Sequence, residues 1–191
     1  MPTVYFIRHA QADNSVKDGR ARPLTEKGLV DRLLVTEFLA DKNIDLVFSS
    51  PFKRAVDTLA DFAEKTGHEI RLIEDFRERR SDSDWDRKTD FIPLIKRQWC
   101  DFSYTLSDGE SLFDVQARNI AALEAILCEN NGKNIAIGTH GTALSTIINY
   151  YDNSYNFDDF AAMALITPWV VRIEFDGNSC RMIEKIDLFQ L

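Results

Sequence analysis

The 191-residue sequence predicts an α/β fold with three layers, α/β/α, built on a mainly parallel central sheet. Two observations carry that prediction. Short apolar runs alternate along the chain with stretches whose apolar residues recur at helical spacing, and strands alternating with helices build a parallel sheet covered on both faces. Three polar clusters, Arg8-His9, residues 49–54 and His140-Gly141, follow directly on such runs. Sheets of this kind bind ligands beyond the carboxyl ends of their strands.

The first strand is the apolar run at residues 4–7, which stops at Arg8-His9. Residues 10–23 are polar, contain Gly19 and Pro23, and read as a loop. A helix begins at Thr25, whose hydroxyl can cap the first turn. Leu24 and Leu29 are spaced as a hydrophobic staple, and Val30, Leu34 and Phe38 give one apolar face. The second strand, residues 44–48, ends at Ser49-Ser50. Pro51 then stands where proline is favoured, at the first helical position after a serine cap. Ala55, Leu59, Phe62 and Ala63 mark the buried face of that helix, and Gly67 can end it. Residues 69–73 alternate as a third strand. Residues 76–110 are irregular and polar, with a helix expected around residues 91–99. A helix over 111–128 turns Ala122, Leu123, Ile126 and Leu127 inward. The fourth strand, 134–138, ends at Thr139-His140-Gly141, and a helix follows through Ile147 and Ile148. Residues 170–175 and 181–186 form a hairpin joined by Asp176-Gly177-Asn178.

No repeat, low-complexity tract or linker interrupts the chain, so residues 1–191 are expected to form one catalytic domain. The composition, 45% hydrophobic and 28% charged, is that of a soluble globular protein. No apolar run approaches the ~20 residues that span a bilayer, and the N-terminus has no basic segment leading to an apolar core. A cytoplasmic protein that binds no membrane is expected. The net charge of −8 argues against nucleic acid and anionic lipid as partners. A phosphorylated ligand must therefore be drawn in by local positive charge. Cys100, Cys128 and Cys180 are odd in number and widely spaced, and read as reduced structural thiols rather than a disulfide framework or metal site.

His9 and His140 stand at strand ends, and with Arg8 and Arg54 they define a chemistry. A neutral imidazole can attack phosphorus when its other ring nitrogen donates to a backbone carbonyl, which fixes the tautomer. Attack forms a phosphohistidine and splits one displacement into two easier ones. Arg8 and Arg54 suit the surroundings, because the guanidinium fork matches phosphate oxygens and keeps its charge. His140 is a further donor, and the amides of the helix start after Gly141 can add to the anion pocket. Fixed donors stabilise the charge spread over the equatorial oxygens. A carboxyl is then needed to protonate the departing oxygen.

Five segments occur in order along essentially the whole chain: Arg8-His9-Ala10-Gln11, Leu24-Thr25-Glu26-Lys27-Gly28, Ser49-Ser50-Pro51 with Arg54-Ala55 and Thr58, Gly109-Glu110-Ser111, and Thr139-His140-Gly141. Together they resemble the histidine phosphatase superfamily, the phosphoglycerate mutase-like family. The resemblance implies a phosphoglycerate mutase-like fold and no metal or organic cofactor. It puts the phosphate-accepting role on His9 and phosphate binding on Arg8, Arg54 and His140. It implies Glu78 as the acid, with Asp75 and Asp82 as substitutes, and Gln11 and Ser15 as residues holding the phosphate or the nearby loop. Ala10, Gln11 and Ser15 depart from the commoner glycine, glutamate and asparagine, and the loop after Glu78 lacks the usual glycine.

Other residues have plainer readings beside the functional one. His68 follows Gly67 in a turn and reads as a surface residue. Arg77, Arg79, Arg80, Arg87 and Lys88 are matched in number by Glu78, Asp82, Asp84, Asp86 and Asp90, as in a solvated loop. The alternative is that Arg79 binds a second anionic group of the substrate, and Arg20 and Arg22 carry the same ambiguity. Trp85, Trp99 and Phe102 are read as packing residues before pocket residues. The leading expectation is a phosphomonoesterase that hydrolyses a small phosphorylated metabolite through His9. The alternatives are a phosphoglycerate mutase and a phosphate-binding pseudoenzyme. The C-terminal hairpin could support a homodimer.

Overall fold

The first apolar run is the core of β1 (Thr3–Arg8), and its alternation sends side chains to both faces of a sheet. The other strands are β2 (Leu46–Ser49), β3 (Ile70–Leu72), β4 (Asn134–Thr139), β5 (Trp169–Asp176) and β6 (Ser179–Ile186). In this computed structural model, which describes residues 1–81 and 91–191, they form one sheet in the order β3-β2-β4-β1-β5-β6. The β1–β4, β2–β4 and β2–β3 pairings are parallel, while the hairpin of β5 and β6 lies antiparallel along β1. The sheet is thus mainly parallel, as expected.

Among the described residues six helices cover it: α1 (Glu26–Leu39), α2 (Lys53–Thr66), α3 (Phe91–Cys100), α4 (Leu112–Glu129), α5 (Gly141–Tyr151) and α6 (Phe157–Met163). Val4, Phe6, Ile135 and Ile137 pack with buried residues of α4, α5 and α6 on one face. Tyr5, Ile7 and Ala136 pack with Val35 and Leu39 of α1 and Leu59 and Phe62 of α2 on the other. The connection from β1 therefore leaves on one face and that from β4 on the opposite face. Their adjacent carboxyl ends flank a crevice, the switch point of the sheet.

Local chemistry explains most element ends. Thr25 caps α1 by accepting from the Gly28 amide at 3.0 Å. Gly67 ends α2 in the left-handed conformation, with φ of 74°. Ser111 and Asp114 form a capping box at α4, as do Asn156 and Asp159 at α6. Gly177, with φ of 57°, turns the hairpin.

Several expectations need correction. The staple does not form, because Leu29 is exposed, as is Val30. The buried line of α1 is Gly28, Asp31, Val35 and Leu39, about one residue around from the predicted face. Polar contacts turn the helix that way: Thr36 donates to Asp61 of α2 at 2.8 Å, and Arg32 donates to the Asp57 carbonyl at 3.0 Å. The helix after β2 starts at Lys53, not Pro51, because the Lys53 amide goes to the Arg20 carbonyl; the Ser50 hydroxyl does accept from the Phe52 amide, but Phe52 is the cap residue. The third strand is shorter than residues 69–73, pairing only over three residues at the sheet edge. Helix α6 was not foreseen, although Asn156 three residues before Asp159 is its cap signature.

All three cysteines are free, with Cys100 and Cys128 exposed. Among the described residues no helix is long and apolar enough to cross a membrane, and no group of three or more His, Cys, Asp or Glu could hold a metal.

Candidate active site

Strand register brings the predicted residues together. Arg8 pairs with Thr139 across β1 and β4, the His9 amide donates to the Thr139 carbonyl at 3.1 Å, and the Ser50 amide donates to the Gly138 carbonyl at 2.8 Å. Three strand ends are thereby locked side by side. A Cβ at Gly138 would lie 2.7 Å from the Ser49 hydroxyl and 2.9 Å from Leu59, so glycine is required for this close approach. Thr58 ties the next layer in, accepting from the Ala10 amide at 3.0 Å and donating to the Arg54 carbonyl at 2.7 Å.

A backbone hydrogen bond assigns the His9 tautomer. Nδ1 of His9 lies 2.7 Å from the Ala10 carbonyl, which can only accept, so Nδ1 carries the proton and Nε2 keeps its lone pair. Burial, and then the charges of Arg54 and Arg8, hold the His9 pKa well below 6.5, outweighing the Ala10 bond. His9 is therefore a neutral imidazole with a free nucleophilic nitrogen. The His140 ring stands 5.3 Å away, edge to face. Its Nε2 lies 2.8 Å from the Ser50 hydroxyl, which also accepts from the Phe52 amide at 3.2 Å. Burial, and then Arg54 and His9, hold the His140 pKa well below 6.5, so its ring is neutral as well. The buried Nδ1 of His140 has no protein partner among the described residues.

Arg8 donates to the carbonyls of Met163, the last residue of α6, at 2.7 Å and of Ile166 at 2.9 Å. Its Nε is buried without a partner among the described residues. Burial lowers the Arg8 pKa to about 10 against the pull of Glu78 and Tyr155, leaving it charged at neutral pH. Arg54 is buried, donates to the Gly19 carbonyl at 2.6 Å, and stacks its guanidinium 5.1 Å from the Phe52 ring centroid.

Two cavities flank this cluster. One, of about 550 Å³, is lined by six arginines (Arg20, Arg22, Arg54, Arg77, Arg79 and Arg80) against two glutamates. The other, of about 590 Å³, has Arg8, Thr142 and the apolar Ile95 and Phe160 in its wall. Glu78 and Arg79 line both. Local positive charge thus faces the site in a chain of net charge −8. Glu78 accepts from the Arg79 amide at 2.8 Å and from the Thr142 amide, in the first turn of α5, at 3.2 Å.

The remaining sequence candidates divide. Arg22 is buried, donating to the Val16 carbonyl and to Asn14 at 3.2 Å. Arg20 is on the rim, in a two-pronged ion pair with Glu74 at 2.9 and 3.0 Å. Gln11 and Ser15 do not line either cavity. Gln11 accepts from the Thr25 hydroxyl and fastens the loop to α1, while exposed Ser15 folds onto Asp13 at 2.6 Å. Asn14, beside Ser15, lines the second cavity instead. Asp75 is exposed and lines neither cavity. Asp82, Trp85 and the charges at 84, 86, 87, 88 and 90 lie outside the described residues. Arg77 is not balanced within its loop; its counter-ion is Glu110, 33 positions on. His68 is a half-buried structural residue, bonded to the Ile44 carbonyl and stacked on Phe62. Trp99 packs on Phe102, Tyr155 and Phe160.

Sequence reading gave no part in the site to Ser50, read there only as a helix cap, or to Thr58, Asn14 or Glu110. Ser50, Thr58 and Glu110 lie in segments already singled out, and Glu110 directly precedes the cap of α4.

A neutral imidazole with a free ring nitrogen, a second neutral histidine, the half-buried Arg8 and the buried Arg54, gathered at the switch point of a three-layer α/β sheet, make the kind of site that phosphoryl transfer requires. The chain belongs to the histidine phosphatase superfamily (branch 1), whose sequence profile matches residues 4–187. Among curated proteins it is 29% identical over 160 residues to the Hydrogenobacter thermophilus protein named "Putative phosphoserine phosphatase 2", covering 78% of this chain and 77% of that one. Its fold is similar to that of a phosphoserine phosphatase from Entamoeba histolytica crystallised as a variant with phosphoserine. The TM-score is 0.79 at 20% identity, and all of both chains is covered. It is equally similar in fold to a phosphoglycerate mutase from Bacillus anthracis, with TM-score 0.77, 18% identity, and 98% and 93% of the two chains covered. The fold is therefore that of the phosphoglycerate mutase-like enzymes.

Proposed function

We propose that the protein is a phosphomonoesterase that hydrolyses a small, anionic phosphorylated metabolite through a phosphohistidine on His9. The observation that carries this reading is the bond from His9 Nδ1 to the Ala10 carbonyl, which leaves Nε2 as a nucleophile beside Arg8, Arg54 and His140.

In the first step Nε2 forms a bond to phosphorus as the ester oxygen leaves. Arg8 through Nε, Arg54, and His140 through Nδ1–H receive the equatorial oxygens. A phosphoryl oxygen supplies the buried Arg8 and His140 atoms with the acceptor that the described residues do not. Glu78 protonates the leaving oxygen. In the second step the Glu78 carboxylate takes a proton from water, whose oxygen attacks phosphorus and releases His9. The arginine-lined cavity favours a substrate with a second negative group besides the phosphate. Phosphoserine, which appears in the names of two of these similar proteins, is the first compound to test.

The test is a panel of phosphoserine, phosphoglycerates, sugar phosphates, nucleotides and phosphopeptides, scored for free phosphate and for isomerised ester. Phosphate release with an acid-labile phosphoenzyme is expected, and His9→Ala should abolish both. Interconversion of 2- and 3-phosphoglycerate without net release would establish the mutase reading instead. No turnover and no phosphoenzyme in folded protein would leave a phosphate-binding protein. Full activity in His9→Ala would overturn the mechanism.

A further inference from the structure

The carboxylate of Glu110 sits at the hub of a polar clasp that the mechanism above does not use. Arg77 donates to both its oxygens, each at 2.6 Å. Arg118, from α4, donates through Nε at 3.0 Å and NH2 at 3.3 Å. The Arg80 amide donates at 2.8 Å, and the Glu110 amide returns a bond to the Arg80 carbonyl at 3.0 Å. Burial pushes the Glu110 carboxyl up, but the bonds from Arg77, Arg118 and the Arg80 amide prevail and hold it down at about 2.

What the clasp grips is the backbone around Glu78. The other prongs of Arg118 donate to the carbonyls of Asp75 at 2.5 Å, Arg77 at 2.9 Å and Glu78 at 3.4 Å. The Arg80 amide, two residues after Glu78, is held by Glu110 itself. Glu78 is thus tied on both sides to one rigid point at the start of α4, where Ser111 and Asp114 form the capping box. No regular strand or helix spans residues 77–81, so these side-chain bonds supply the order that a sheet ladder supplies at His9. A carboxyl that must reach one oxygen gains its rate from being held there, and a displacement of 1 Å costs about 10²-fold.

The geometry points to Glu110 as a positioning residue: acting through Arg118 and Arg77, it fixes the backbone that aims the Glu78 carboxyl at the leaving-group oxygen. This rests on the reading of Glu78 as the acid, and the experiment separates the two. An acid matters for a poor leaving group and little for a good one. Wild type, Glu78→Gln, Glu110→Gln and Arg118→Lys are compared on the alkyl phosphate turned over fastest in the panel and on p-nitrophenyl phosphate. Arg118→Lys keeps the charge but loses the fork that reaches the carbonyls. Folding of each variant is checked by circular dichroism.

Glu110→Gln and Arg118→Lys are expected to lower kcat/KM, which reports phosphoenzyme formation alone, at least about tenfold on the alkyl ester. On the nitrophenyl ester kcat/KM should stay within about threefold, because a good leaving group needs no acid in that step; the shared hydrolysis of the phosphoenzyme does not enter this comparison. Glu78→Gln should show the same split, and the double variant with Glu110→Gln should lose no more than Glu78→Gln alone. Should Glu78→Gln show the split while the folded Glu110→Gln and Arg118→Lys lower both esters equally or neither, the positioning role is wrong and the acid reading stands. Should Glu78→Gln itself show no split, the acid reading falls and takes the positioning role with it.

Discussion

Lowering the pH should take from the wild type a stability that Glu110→Gln never had. The folded Glu110 carboxyl is held at about 2 against an ordinary 4.5, chiefly because the hydrogen bonds of Arg77 and Arg118 outweigh its burial. A folded-state pKa below the unfolded one contributes stability that is fully present above 4.5 and is lost as the pH falls toward 2. At full strength that shift is worth about 3 kcal/mol. Arg77 is a quarter exposed, and solvent screening there reduces the figure to about 2 kcal/mol. About two-fifths of it should be gone by pH 3.5. The assay is urea unfolding of wild type and Glu110→Gln, followed by tryptophan fluorescence at pH 7, 5 and 3.5. Carboxylates common to both proteins cancel in the difference, which should be constant from pH 7 to 5 and shrink by about 1 kcal/mol at pH 3.5. A difference that stays constant down to pH 3.5 would refute the reasoning, because it would mean that the clasp does not depend on the ionised Glu110.

Three further expectations follow from the site. Because burial and the neighbouring arginines hold His9 neutral well below 6.5, protonation of the nucleophile should not limit kcat/KM near neutrality. A pH–rate profile should place any acid limb from His9 below 6.5, and a limb at or above that value contradicts the assigned state. Ser50→Ala removes the hydrogen-bond partner of His140 Nε2. It should cost about 1 kcal/mol or more in stability and about tenfold in kcat/KM, measured by thermal melting and initial rates; unchanged rates in folded protein would contradict a role for that bond. Gly138→Ala drives a methyl within 2.7 Å of the Ser49 hydroxyl and 2.9 Å of Leu59. A loss of about 1–3 kcal/mol is expected, or roughly 2–12 °C in Tm, and a melt within about 1 °C of wild type would show that the strand and α2 yield freely.

The sheet and the phosphate cluster were legible in the sequence for one reason: Arg8, His9 and His140 directly follow short apolar runs, and strand ends bring such residues together without needing long-range knowledge. Arg54 was legible from its place beside the Ser49-Ser50-Pro51 turn. What was not legible depended on polar partners that apolar patterning does not reveal. The face of α1 was misplaced because its buried side includes Asp31, paired with Lys27, and Thr36, bonded to Asp61 of α2. Helix α6 has only seven residues, too few for a period to appear, and its evidence lay in the cap alone. Ser15 was proposed near the phosphate, yet its hydroxyl is satisfied two residues away by Asp13, a local competition that position in a motif cannot disclose. The role of Glu110 required the pairing of residues 33 apart, and counting charges within the loop pointed to the wrong partners for Arg77.

The switch-point crevice also divides the site into parts that respond differently to change. His9, the proposed nucleophile, is set by main-chain bonds between β1 and β4, which substitutions that the strand packing accepts leave intact. Glu78, the proposed acid, is set by a handful of side-chain prongs converging on the Glu110 carboxylate. Exchange of the segment between β3 and α4, provided that it carries a carboxylate and arginine able to rebuild the clasp, would therefore retune which ester is cleaved while the phosphoryl chemistry is inherited unaltered. For an engineer this is a two-part enzyme, with a fixed engine in the sheet and an interchangeable fitting clipped to the start of α4.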